Sequence, residues 1–271
     1  MTDRAVYVYG VAASQDAPRL PHGDGAVDAS FPLELVEEEG LVALASELEF
    51  EPFERSIHAA EQGDLASLEP MARAHEEVLS RALGADALLP FRFGTVVASR
   101  DDVRTLLLDR AFEFRSQLES LRGAREWGVK ALVDRERLEA ALATDEPALA
   151  ELRSEAATGT GSAFFARKRL EQELEGRLRD AAAEVAETVH DRLSSAARDA
   201  VVNPPQPREL SGYEDEMILN GAYLVELGRE RELRDAVDDL RHELADRGVR
   251  VEVTGPWPAF NFVRVVERTA G

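Results

Sequence analysis

The stretch Met217-Ile-Leu-Asn-Gly-Ala-Tyr-Leu-Val-Glu-Leu227 is dense in aliphatic, aromatic and β-branched residues and reads as a strand. Directly after it, residues 229–246 place Leu233, Val237, Leu240 and Leu244 at steps of three and four, the period of one buried helix face. Gly248 then opens Val249-Arg-Val-Glu-Val-Thr254, which alternates apolar and polar residues like a half-buried strand, and Phe262-Val-Arg-Val-Val follows. Strand, helix and strand with antiparallel additions put this half of the chain in the α+β class.

Upstream of that stretch, Asn203-Pro-Pro-Gln-Pro207 is a breaker. From Ser162 to about Ala200 there is no proline, and Leu170, Leu174, Leu178, Ala181, Val185, Val189, Leu193 and Ala197 recur at helical spacing. That run predicts a helix of roughly 55 Å, too long for one small sheet to cover. It must pack on preceding helices or on a partner. Residues 135–158 are rich in Ala, Glu, Leu and Arg and are interrupted by Pro147.

The N-terminal part repeats the alternation of periods. Val6 to Val11, with Tyr7 and Tyr9 between, predict a first strand rather than a leader peptide. Phe31–Glu37 and Leu41–Leu48, joined across Gly40, predict a β-hairpin. Leu65, Leu68, Met71, His75, Val78, Leu79 and Ala82 predict a helix closed by Gly84. Leu88–Ala98 is an apolar run with Pro90 at its entry, expected as one strand. Ser99 or Asp101 caps a helix burying Val103, Leu107, Phe114, Leu118 and Leu121, and Gly123 ends it before a strand at Trp127–Val133. Strand, helix, strand predicts a right-handed βαβ crossover. Residues 1–134 are therefore expected to form one α+β domain, and 135–271 a helical segment with a second.

Composition narrows the function. The chain has no cysteine, which removes disulfides and thiolate chemistry and fits a reducing compartment. No apolar run reaches the ~18 residues of a membrane span, so a cytoplasmic protein without membrane attachment is expected. A net charge of −21 opposes nucleic-acid binding, which needs a coherent cationic surface. Of the 32 basic residues only Lys130 and Lys168 are lysines. The excess of arginine and carboxylate fits either genome composition or a halophilic surface.

No motif carries catalysis. His75-Glu-Glu-Val-Leu79 begins like a metalloprotease helix, but Leu79 stands where the second histidine belongs, so no metal site is expected. His75 lies on the apolar stripe as a core or interface histidine. Gly159-Thr-Gly-Ser-Ala-Phe164 lacks the third glycine of a dinucleotide fingerprint and follows a helical stretch, so no cofactor is expected either. Two patches stand out. Phe164-Phe-Ala-Arg-Lys-Arg169 sets Arg167, Lys168 and Arg169 in the first turns of the long helix, where the macrodipole disfavours cations; local ion pairing and a docking role both explain it. Gly255-Pro-Trp-Pro-Ala-Phe-Asn-Phe262 concentrates aromatics and prolines as either a buried plug or an exposed anchor, and the plug is the preferred reading.

Several of these segments occur in the order found in one known family. They are Tyr7-Val-Tyr-Gly10, His75 with Val78 and Leu79, Leu89-Pro-Phe-Arg-Phe-Gly-Thr95, Trp127-Gly-Val-Lys130 and Gly161-Ser-Ala-Phe-Phe-Ala-Arg-Lys168. Asn220–Val225, Thr254-Gly-Pro-Trp-Pro258 and Phe260-Asn-Phe-Val263 complete the series. Over nearly its whole length the chain resembles the gas vesicle protein F/L family, departing at Ala259, where the family often has proline. The resemblance implies two α+β domains, the C-terminal one ferredoxin-like, and no enzymatic activity. It also implies a role in gas vesicle assembly through binding the hydrophobic shell protein and other accessory proteins. Candidate partner-binding residues are Arg92, Phe93, Phe164, Phe165, Arg167, Lys168, Arg169, Trp257 and Phe260. The rival reading is a small-molecule sensor built on ferredoxin-like domains.

Overall fold

The computed structural model describes residues 4–145, 163–207 and 212–263. Its contacts divide the chain into two units: residues through Glu126 together with those from Pro256 onward, and Trp127–Gly255 between them. A boundary at 134, expected from sequence, differs from this division because the strand at Trp127 pairs in the second unit's sheet.

The first unit is built on β1 (Arg4–Ala13), β2 (Leu33–Glu38), β3 (Leu41–Glu49) and two short strands, β4 (Leu89–Pro90) and β5 (Val96–Val97). The sheet runs β2-β3-β1-β4, with β5 also on β1, and these pairings are antiparallel. The expected hairpin is present. Glu38 pairs with Leu41, leaving a two-residue loop in which Glu39 and Gly40 both have positive φ, 52° and 72°. This is the mirror-image turn whose twist suits two strands. A register shift between Val8 and Gly10 changes the alternation of β1, so that Ala12 rather than Val11 shares the face of Tyr7 and Tyr9.

That face is covered by α1 (Phe50–Glu61) and α2 (Glu69–Arg81), which contribute Phe53, Val78 and Leu79 to the core. The periodicity of residues 65–82 marks α2, but α1 is not anticipated. Its apolar residues are only Phe50, Phe53 and Ile57, and Pro52 resembles a breaker although it sits harmlessly in the first turn. Helices α3 (Arg100–Asp109) and α4 (Ala111–Leu121) also pack on this sheet, and bury all five residues expected of one helix. Ser99 Oγ accepts the Asp102 amide as the N-cap.

Two expectations here are corrected. Leu88–Ala98 is not one strand: β4 and β5 pair separately with β1, at Gly10↔Pro90 and Tyr7↔Val96, and residues between them loop outward through Gly94 at φ 85°. Nor is there a βαβ crossover, because β6 (Ala124–Val133) pairs in the other sheet. A helical pattern between two apolar runs does not say whether both strands enter one sheet.

The second unit contains most of β6, then α5 (Arg135–Asp145), α6 (Ala163–Ser194), β7 (Asp199–Asn203), β8 (Glu216–Glu226), α7 (Glu230–Leu244) and β9 (Val249–Trp257). The strand order is β7-β8-β6-β9, with β7 and β8 antiparallel. The long helix ends at Ser194, not near Ala200, and is about 48 Å long. Val201 and Val202 lie in β7 instead, paired with Ala222 and Gly221. Helical spacing continues through Ala197, so periodicity alone overshoots. The core joins Trp127, Val129 and Ala131 of β6 to Val185, Val189 and Leu193 of α6, and to Leu233, Val237, Leu240 and Leu244 of α7.

Candidate docking site

His75 lies on the buried face of α2, opposite Tyr7 and Tyr9 of β1. The Tyr7 hydroxyl accepts the Gly94 amide at 3.0 Å and shares a hydrogen bond with His75 Nδ1, 2.9 Å away. The Tyr9 hydroxyl accepts the Val27 amide at 2.8 Å and meets Ser46 Oγ at 3.0 Å. Burial pushes both phenols above their ordinary range. Burial also holds His75 down at about 4, and the Phe91 carbonyl offsets only part of this. His75 is therefore a neutral core residue at physiological pH, in agreement with its place on the apolar stripe.

This network supports an aromatic surface. The Phe93 ring stands edge-on to His75 at 5.8 Å and near Phe53 at 6.4 Å, while the Phe260 ring lies 6.5 Å from His75. Phe93 comes from the loop between β4 and β5, whose Gly94 amide is fixed by Tyr7. Phe260 comes from the other end of the chain, held by a buried carboxylate. Glu126 accepts from the Asn261 amide at 2.9 Å and from its side-chain nitrogen at 2.6 Å. Burial raises Glu126 above the ordinary carboxyl range, and the two Asn261 bonds oppose that shift. Its neighbour Arg125 is also buried and donates to the carbonyls of Leu83, Ala85 and Ala124 at 2.5, 2.5 and 2.8 Å.

The plug reading of the C-terminal aromatic loop is overturned. Trp257 is 43% exposed and Phe260 39%, whereas Pro258 and Ala259 are buried. The small residues fill the interior and the large rings face outward. Among the sequence candidates, Phe93 and Phe260 thus meet around His75, with Arg92 exposed beside Phe93. Arg167, Lys168 and Arg169 are exposed on α6 in the second unit. The side chains of Phe164 and Phe165 lie outside the described residues. Sequence reasoning also missed an exposed pair, Leu108 and Phe112; the signal was present, since both are apolar residues one position off the buried stripe of α3 and α4.

Among the described residues no group of three His, Cys, Asp or Glu could hold a metal ion, and no helix is long and apolar enough to cross a membrane. A cleft of about 100 Å³ in the second unit is floored by Val133, Leu138 and Leu178 and rimmed by Arg135, Glu175 and Arg179. Sites that enclose a drug-sized ligand span roughly 300–1,000 Å³.

The chain thus folds as two α+β units, with the Phe93, Trp257 and Phe260 rings on the first. Residues 5–264 match the family described as "Gas vesicle synthesis protein GvpL/GvpF", and the chain belongs to that family. It is 32% identical to gas vesicle protein L of a Streptomyces species, over 98% of this chain and 95% of that one. It is 28% identical to gas vesicle protein L1 of Halobacterium salinarum, over 94% of this chain and 89% of that one. The fold matches the crystal structure of gas vesicle protein GvpF from an Anabaena species with a TM-score of 0.76, covering 97% of this chain and 99% of that one at 22% identity.

Proposed function

We propose that this protein is a cytoplasmic accessory factor of gas vesicle assembly that acts by binding, without turnover of a substrate. Its partners are the hydrophobic shell protein and other accessory proteins of the vesicle. The observation that carries this reading is the exposure of Trp257 and Phe260 on a segment stiffened by Pro256 and Pro258 and anchored by Glu126. Rings already fixed in place lose little entropy on docking, and exposed aromatics of this kind supply most of the energy at protein interfaces. Arg92, Phe93, Trp257 and Phe260 form the main contact surface in this reading, and Phe164, Phe165, Arg167, Lys168 and Arg169 a second one. The surrounding acidic body keeps an aggregation-prone subunit dispersed until it is added to the shell.

The strand order β7-β8-β6-β9, read with the element order β-α-β-β-α-β, supports a ferredoxin-like second domain. The small cleft in that unit does not favour the metabolite-sensor alternative.

Co-expression with the shell protein tests the proposal. The soluble fraction of the shell protein is expected to rise, and Trp257→Ala to weaken its binding by about thirty-fold. Normal vesicles in a deletion strain without a paralogue would refute the assembly role.

A further inference from the structure

Helices α3 and α4 bury Val103, Leu107, Phe114 and Leu118 yet leave Leu108 53% and Phe112 88% exposed. Phe112 lies four residues after Leu108, across the break at Arg110. The Arg110 amide still donates to the Leu106 carbonyl at 3.1 Å, and the Phe114 amide to the Arg110 carbonyl at 2.9 Å. The first bond closes α3 and the second opens α4, so Leu108 and Phe112 stand on either side of a helix junction, four residues apart in the chain. Single exposed hydrophobics need no explanation, but two adjacent ones on a strongly charged surface do.

The charges around these two residues are almost all engaged. Arg104 pairs with Asp101 at 2.7 Å, Arg110 with Glu113 at 2.7 Å, Arg115 with Glu39 at 3.5 Å and Arg122 with Glu119 at 3.0 Å. The Asp109 side chain, next in sequence to Leu108, makes no ion pair or hydrogen bond among the described residues. The patch thus offers two apolar knobs and one uncommitted carboxylate on a chain of net charge −21. A second copy would bring the same carboxylate and the same net charge, so electrostatics oppose self-association here and favour a basic partner.

We propose that α3 and α4 dock an amphipathic helix of a second vesicle protein, with Leu108 and Phe112 packed between its side-chain ridges and a lysine or arginine of that helix on Asp109. This rests on the assembly reading above and places one of its contacts on residues that are not among the candidates read in the sequence.

Replacing Phe112 with the photo-crosslinker p-benzoylphenylalanine in the full chain, co-expressed with the other vesicle proteins, tests it. The expected adduct is one segment of another vesicle protein with apolar residues one turn apart and a neighbouring Lys or Arg. Phe112→Ser and Asp109→Lys are each expected to weaken binding of that protein about tenfold or more, with the melting midpoint unchanged. An adduct with a second copy or an acidic segment, a yield no higher than from the exposed Leu65, or wild-type affinity in Asp109→Lys would overturn it. If the unmodified chain retains vesicle proteins but these signatures are missing, only this inference falls; if it retains none, the assembly reading falls with it.

Discussion

Each unit holds one tryptophan and one tyrosine–histidine pair, and treats them in opposite ways. In the first unit Tyr7 and His75 are sealed in the core at 2.9 Å while Trp257 faces outward. In the second, Trp127 is 4% exposed beneath the Arg234 guanidinium, 4.9 Å from its ring, and His190 meets Tyr223 at 3.2 Å from a half-buried position. The tryptophan is thus surface in one unit and support in the other, whereas Tyr7 and Tyr223 are both buried and only their histidine partners differ in exposure. Surroundings, not residue type, set the energetic weight of each ring.

The tryptophans give the largest test of that contrast. Trp127→Ala is expected to cost about 3–5 kcal/mol by removing a buried ring, and Trp257→Ala less, since 43% of that residue is already exposed. Urea unfolding followed by far-UV circular dichroism reads both. Equal losses would erase the distinction between support and surface.

The histidines come next. His75 is held at about 4 when folded, against 6.5 when free. Between those values the unfolded chain binds a proton that the folded chain refuses, so stability is full above 6.5 and falls as pH drops toward 4. The loss amounts to about 3 kcal/mol. Glu126, raised by burial, works in the opposite direction: its contribution is present at low pH and lost as pH rises through its folded value. Comparing stability-versus-pH slopes of the wild type and His75→Gln isolates the histidine, because Glu126 is common to both. A reduced slope is expected for His75→Gln.

The smallest expected effects separate the tyrosines. Tyr7→Phe strands the Gly94 amide and His75 Nδ1 and should cost about 1–3 kcal/mol. Tyr223→Phe frees only a half-buried imidazole that water can reach, for about 0.5–1 kcal/mol. A larger loss at Tyr223 would mean that the two pairs are equivalent after all.

Sequence periodicity locates the strands and helices whose patterns are strong. Leu233, Val237, Leu240 and Leu244 all face the core, and the alternation around Glu39 and Gly40 is a hairpin. It cannot show pairing between distant strands, which is why β6 appears to complete the first domain when it belongs to the second sheet. Apolar character alone also hides a break: Leu88–Ala98 looks continuous, yet Pro90 and Gly94 let the chain leave the ladder and present Phe93. At the C-terminal loop, composition shows a dense aromatic cluster but not its orientation. Which rings point inward depends on Glu126, 135 positions earlier, accepting from Asn261. Leu108 and Phe112 escaped notice because an apolar residue beside a buried stripe looks like part of it.

The bond between Glu126 and Asn261 has a bearing on synthesis. Their separation of 135 residues corresponds to about 7–27 s of translation at ~5–20 residues per second. Throughout that interval the nascent first unit has its strands and helices outside the ribosome but lacks the segment that carries Phe260 and Asn261. In the second unit β7 and β8 follow β6 sooner, but β9, which pairs with β6, is made only shortly before Asn261. Chains stalled or cleaved before residue 256 would therefore display a Glu126 carboxylate without its partner, a recognisable mark of an unfinished molecule.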